Sequence, residues 1–134
     1  MKRTYTPPTV PLEDAEQRII FQWAAMETAA CPELGLLYAI PNGGKRAIKT
    51  AVALKKQGVK RGVPDMCLPV PRGGFNGLYI ELKRVKGGTV SDEQGAWINA
   101  LNAQGYRAVV CCGAQEAIKT IREYMGAKDE RDKV

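Results

Sequence analysis

Apolar side chains recur at helical spacing between Leu12 and about Thr28, at Ile19, Ile20, Trp23 and Ala24, which predicts a first helix with one buried stripe behind a Pro-rich start. The short apolar run Leu36-Leu37-Tyr38-Ala39-Ile40 stops at Pro41-Asn42-Gly43-Gly44 and predicts a buried strand entering a turn. Helical spacing returns from Lys45 to Gln57, with Ala47, Ile48, Ala51 and Leu54 inward, Lys49, Lys55 and Lys56 outward, and Gly58 as the stop. Met66 to Val70 predicts a strand whose end Pro69 forces to an edge or turn, followed by a loop at Pro71-Arg72-Gly73-Gly74.

Leu78 to Lys83 alternates most cleanly, setting Leu78, Ile80 and Leu82 on one face and Tyr79, Glu81 and Lys83 on the other. After a Lys86-Gly87-Gly88 loop, Ser91 is a good N-cap for a helix running to about Gln104 and closed by Gly105. Tyr106 to Cys112 predicts a last strand and Gln115 to Tyr124 a last helix, with a charged tail from Lys128 expected to fray. The order helix, strand, helix, strand, strand, helix, strand, helix predicts an α/β domain with a mixed sheet flanked by helices. With 134 residues and no repeat or linker, one domain is expected.

Composition narrows the chemistry more than the fold. There is no histidine, which excludes the common zinc arrangements, Ser-His and Cys-His nucleophile pairs and an imidazole base, and leaves carboxylates, Lys and Tyr. Cys31, Cys67, Cys111 and Cys112 form no C-x-x-C pair and read as buried thiols. An excess of 20 Lys and Arg over 14 Asp and Glu gives a formal charge of +6, which favours a polyanionic partner. No apolar run approaches the roughly 18 residues of a membrane span, and the basic N-terminus leads into no apolar segment, so a cytoplasmic protein is expected.

The chemistry lies in Pro64-Asp65 and Glu81-Leu82-Lys83. Glu81 and Lys83 project from one strand face, and pairing with the strand after Asp65 would bring the two carboxylates together. Two carboxylates with the Leu82 peptide oxygen make a hard oxygen site suited to Mg²⁺ or Mn²⁺. Such an ion offsets the charge of a phosphodiester and activates water for in-line attack, while Lys83 orients that water or stabilises charge on the phosphoryl oxygens. A lone Glu-x-Lys pair is usually a solvated ion pair worth under about 1 kcal/mol. Only its placement beside Pro64-Asp65 points to catalysis.

These residues resemble the PD-(D/E)XK nuclease signature. Glu16-Gln17, the segments from Tyr38 to Gly44, Gly58 to Asp65 and Leu78 to Lys83, and Ser91-Asp92-Glu93-Gln94 narrow the resemblance to the VRR-NUC family, especially its small stand-alone phage and bacterial members, over about Leu12 to Tyr124. The resemblance implies a restriction-endonuclease-like fold, metal-dependent phosphodiester cleavage and a preference for branched or flapped DNA. It also implies a homodimeric resolvase of four-way (Holliday) junctions in the cytoplasm of a bacterium or phage-infected cell, a dimer giving the two equivalent cuts that opposed strands need. The alternatives are a flap, nicking or restriction-type nuclease of the same fold and a DNA-binding module without catalysis. No small-molecule cofactor is expected.

Glu16 shares a helical face with Ile20 and Trp23, and reads either as a first-turn acid favoured by the helix dipole or, through the resemblance, as an extra metal or supporting ligand. Gln94 stands three residues after Ser91, the spacing of a capping box, whereas the resemblance turns it toward the active site; the two roles are expected to compete. Asn42, Gly43 and Gly44 ahead of a helix start offer a phosphate cradle, with Lys45, Arg46, Lys49, Lys60, Arg61 and Arg72 as candidate DNA-backbone contacts. Trp23 and Trp97 read as core rather than base-stacking residues.

Overall fold

Leu78–Lys83 is the strand around which the sheet is built, in a computed structural model that describes residues 12–41 and 48–127. In chain order the elements are α1 (Glu13–Glu27), a 3-10 turn (Pro32–Leu36), β1 (Tyr38–Ala39), α2 (Ile48–Lys56), β2 (Met66–Leu68), β3 (Leu78–Lys83), α3 (Asp92–Ala103), β4 (Arg107–Cys112) and α4 (Ala114–Gly126). The sheet order is β1-β2-β3-β4; β1 and β2, and β2 and β3, are antiparallel, whereas β3 and β4 are parallel through the α3 crossover. The sheet is therefore mixed and flanked by helices, as the element order predicts.

The core lies on one side of the sheet. Met66 and Leu68 of β2, Leu78, Ile80 and Leu82 of β3, and Cys111 of β4 meet Ile20 and Ala24 of α1 and Ala114, Ala117, Ile121 and Tyr124 of α4. Tyr124 satisfies its buried hydroxyl by donating to the Val70 carbonyl. α3 is tied to the outer edge of β4. Asn102 Nδ2 donates to the Ala108 carbonyl at 3.1 Å, and its Oδ1 accepts the Ala108 N–H at 2.9 Å. Glu116 Oε2 accepts the Cys112 N–H at 3.0 Å on the same strand. Two of the outward-facing residues of this edge strand are thus already bonded.

Three local expectations are corrected. The apolar run near Leu36 is mostly not a strand: Pro32 starts a 3-10 turn that buries Leu34 and, three residues on, its capping residue Leu37, and only Tyr38–Ala39 pairs with β2. In α2 the expected inward Ala51 is exposed and Leu54 only half-buried, with Val52 exposed as well. That helix does end at Gly58, whose φ of 96° permits the Val59 N–H to Leu54 bond of a left-handed C-terminal stop. Ile19 of α1 is exposed, because the inward face is the row of Glu16, Ile20 and Ala24. Ala47 and the tail from Lys128 lie outside the described residues, as does the side chain of Ile48.

Candidate active site

Asp65 immediately precedes β2, and its carboxylate reaches the far end of β3. Its Oδ2 accepts the Leu82 N–H at 2.7 Å, while its own carbonyl accepts the Ile40 N–H at 2.7 Å. The last β2–β3 pair is Met66 with Ile80, so continuing that register sets Leu82 opposite Pro64, which has no amide hydrogen to give. The Leu82 N–H turns to Asp65 instead, and proline cannot occupy the Leu82 carbonyl as a ladder donor would. A buried proline ahead of the aspartate thus ends the β2–β3 ladder at this point.

Glu81 and Lys83 share one face of β3 and are both buried, Glu81 to 2% exposure and Lys83 to 7%. Lys83 Nζ pairs with Glu81 Oε1 at 3.2 Å and donates to Gln94 Oε1 at 3.0 Å. Gln94 Nε2 donates to Glu81 Oε1 at 2.8 Å, which closes a triangle. Gln94 Oε1 also accepts the Ser91 N–H at 2.9 Å, and Ser91 Oγ accepts the Gln94 N–H at 3.1 Å. The capping box and the active-site contact are made together, which corrects the expectation that they compete: a carbonyl oxygen has two lone pairs, and the amide nitrogen remains for Glu81.

The second Glu81 oxygen, Oε2, is buried without a hydrogen-bond partner. Such an atom is costly unless something else satisfies it. Burial, and then the neighbouring Asp65 charge, push the Glu81 carboxyl up to about 7, against the lowering pull of Lys83. Burial also raises the Asp65 carboxyl, opposed by the Leu82 amide, Glu81 and Lys83. Two crowded carboxylates with one unsatisfied oxygen suit a hard divalent cation. Among the described residues no three His, Cys, Asp or Glu side chains group to hold a metal, so the donors would be Asp65, Glu81 and the Leu82 carbonyl, with waters completing the shell.

The surrounding loops are packed tightly against these residues. Gly62, at φ 89° in the segment leading to Asp65, lies so close to the start of α3 that a Cβ there would sit 2.7 Å from the Glu93 carbonyl carbon. The loop that aims Asp65 therefore rests on the turn that carries Gln94. A Cβ at Gly88 would come within 3.0 Å of the Lys83 Cβ.

Glu16 is buried as expected, and its Oε2 accepts the Ala114 N–H at 2.5 Å, capping the first turn of α4. The neighbouring Gly113 N–H donates to the Lys83 carbonyl at 2.9 Å, so Glu16 reaches the site through backbone and is not grouped with Asp65 and Glu81 as a third side-chain ligand. Lys60 and Arg61 are exposed on the loop before Asp65. Arg72 is not brought to the site. It sits in the turn beyond the opposite end of β2, donates to the Pro71 carbonyl at 2.8 Å and lies near Glu33. Asn42, Gly43, Gly44, Lys45, Arg46 and the side chain of Lys49 lie outside the described residues. Trp23 packs against the core beneath the Arg122 guanidinium, 5.3 Å from its ring centre, and Trp97 is half-buried.

Sequence reasoning passed over the tyrosines. Cross-strand register sets Tyr38, Cys67 and Tyr79 in a row on the Glu81 face, with Tyr106 edge-on to Tyr79 at 5.3 Å. The alternation of Tyr79 with Glu81 was the available signal. No described helix is long and apolar enough to cross a membrane.

No curated protein matches the chain. A solved structure described as a VRR_NUC domain protein superposes with a TM-score of 0.79 at 28% identity, covering 90% of this chain and 93% of that one. The VRR-NUC domain profile matches residues 11–115, a span that contains Asp65, Glu81, Lys83 and Gln94. With that span covered, this chain belongs to the VRR-NUC family of nucleases.

Proposed function

We propose that the chain is a divalent-metal-dependent endodeoxyribonuclease that works as a homodimer on branched DNA, foremost four-way junctions. The carrying observation is Glu81, whose Oε1 is held by Lys83 and Gln94 while its buried Oε2 has no partner beside Asp65. Asp65, Glu81 and the Leu82 carbonyl would hold Mg²⁺ or Mn²⁺. When bound, the ion supplies positive charge to the phosphodiester and lowers the pKa of a nearby water.

The protein's own groups do the rest. Lys83 has three ammonium hydrogens; two are directed to Glu81 and Gln94, and the third is left to orient water or to contact a phosphoryl oxygen. Gln94 fixes both Glu81 and Lys83 from a capped helix start. Glu16 acts as a positioning residue, holding the start of α4 beside the Lys83 carbonyl. Lys60 and Arg61 supply backbone contacts to DNA, with Lys45, Arg46 and Lys49 on the preceding segment. Four-way symmetry favours a dimer, since two opposed strands require two equivalent sites.

The test is cleavage of labelled four-way junction, flap, linear duplex and single-stranded DNA with Mg²⁺, with Mn²⁺ and with chelator, using wild type and Asp65→Asn. Paired symmetric junction cuts that need both metal and Asp65 are expected. Cuts confined to flaps or duplex would replace the substrate, and DNA binding without any cut would leave only a binding module.

A further inference from the structure

Three of the four tyrosines among the described residues gather on the face of the sheet that carries Glu81, while the fourth, Tyr124, is in the core. Tyr38 pairs with Cys67, and Cys67 with Tyr79, so the three side chains point the same way across β1, β2 and β3. Tyr106 meets Tyr79 edge-to-face, with planes inclined at 80°. The Tyr38 and Tyr79 phenols both lie against the buried Cys67 thiol; that contact and then burial raise the Tyr38 phenol, while burial and then the contact raise the Tyr79 phenol.

These rings do not behave as core residues. Tyr38 is 47% exposed on a two-residue edge strand, and Tyr79 and Tyr106 are half-buried. Tyr79 lies two residues before Glu81 on β3, a separation of about 7 Å at roughly 3.3 Å per residue. That is about two steps of a nucleic-acid strand at roughly 3.4 Å each. An aromatic surface this close to a phosphodiester-cleaving centre is within reach of the nucleotides that flank the broken bond.

We propose that Tyr38, Tyr79 and Tyr106 form a stacking platform for an unpaired nucleobase next to the scissile phosphate. The proposal rests on the nuclease reading for its location and adds what that reading lacks, a physical basis for choosing a branch point that carries or opens to an unpaired base over continuous duplex. Every base has a π-face, so a platform of tyrosines takes an unstacked base without regard to its identity, whereas a paired base is already stacked between its neighbours.

The experiment uses the full-length protein with Ca²⁺, a hard oxygen-seeking cation, and DNA carrying one 2-aminopurine either unpaired at a branch point or paired within duplex, followed by fluorescence; Mg²⁺-dependent cleavage is measured in parallel. Wild type and Tyr38→Phe are expected to quench the unpaired probe. Tyr38→Ala, a change at an exposed position, should bind that probe about tenfold more weakly and leave the paired probe unaffected. Tyr79→Ala should do the same, with thermal melting to confirm that it folds. Equal quenching by Tyr38→Ala, equal loss in Tyr38→Phe, or no preference for the unpaired probe would overturn the platform. Quenching without cleavage would keep a base-stacking surface but remove the nuclease reading and, with it, the place beside a scissile phosphate; cleavage without quenching would remove the platform and keep the nuclease.

Discussion

One side-chain amide, that of Gln94, joins the helix cap to the carboxylate and the lysine of the site. Gln94→Ala should lower activity or metal affinity by roughly 10- to 100-fold, the usual cost of losing a residue that orients a ligand. Gln94→Glu should keep the cap yet weaken metal binding, since it replaces the donor to Glu81 with a like charge; calorimetric titration of Mn²⁺ distinguishes the two, and unchanged affinity in both would remove Gln94 from the site. Glu81 makes a second prediction. Its carboxyl is raised in the folded protein to about 7 from an ordinary 4.5, so its contribution to stability is full below 4.5 and is lost as pH rises through 7. With chelator present, the denaturation midpoint should fall over that window and Glu81→Gln should flatten the fall. Metal binding needs the deprotonated acid, so affinity should fall as pH drops below 7. At this scale Asp65, Glu81 and Lys83 were legible because strand alternation fixes direction. The dual use of Gln94 was not, because sequence spacing says nothing of how many partners one oxygen serves. Glu16 was legible as a buried acid, but its partner is a backbone amide 98 positions away.

Among the elements, α1, β3, α3, β4 and α4 follow directly from apolar spacing and caps, and their ends fall within a few residues of expectation. The failures have a common cause. In the Leu36 segment a Pro-started 3-10 turn buries Leu34 and Leu37 with a spacing of three, which a short apolar run cannot distinguish from a strand. In α2 a helical period is present, but exposed Ala51 and Val52 show that period alone does not guarantee burial. A tight junction between a loop and an element is that of Gly62 against Glu93. Gly62→Ala should destabilise by about 1–3 kcal/mol through positive-φ strain and overpacking, and should weaken metal binding by displacing Asp65. Gly95 within α3 has no atom within 4 Å of an added Cβ, so Gly95→Ala should instead stabilise by about 0.4–1 kcal/mol. Denaturant melts of both variants check the pair, and loss in neither would dismiss the loop contact.

Over the whole molecule, the chain carries a formal charge of +6. Replacing Lys60 and Arg61 together by alanine should weaken DNA binding about equally across sequences and reduce the slope of log affinity against log salt by up to about two; an unchanged slope would take the pair out of the interface. The outer edge of β4 is partly blocked by side chains. Asn102 occupies Ala108 and Glu116 occupies Cys112, leaving the backbone of Val110 between them as an isolated foothold. A visiting strand needs several consecutive rungs, and here each alternate rung is already taken. On that side the protein is guarded against amyloid-like growth, so a concentrated preparation should resist the edge-to-edge polymerisation that bare sheets invite.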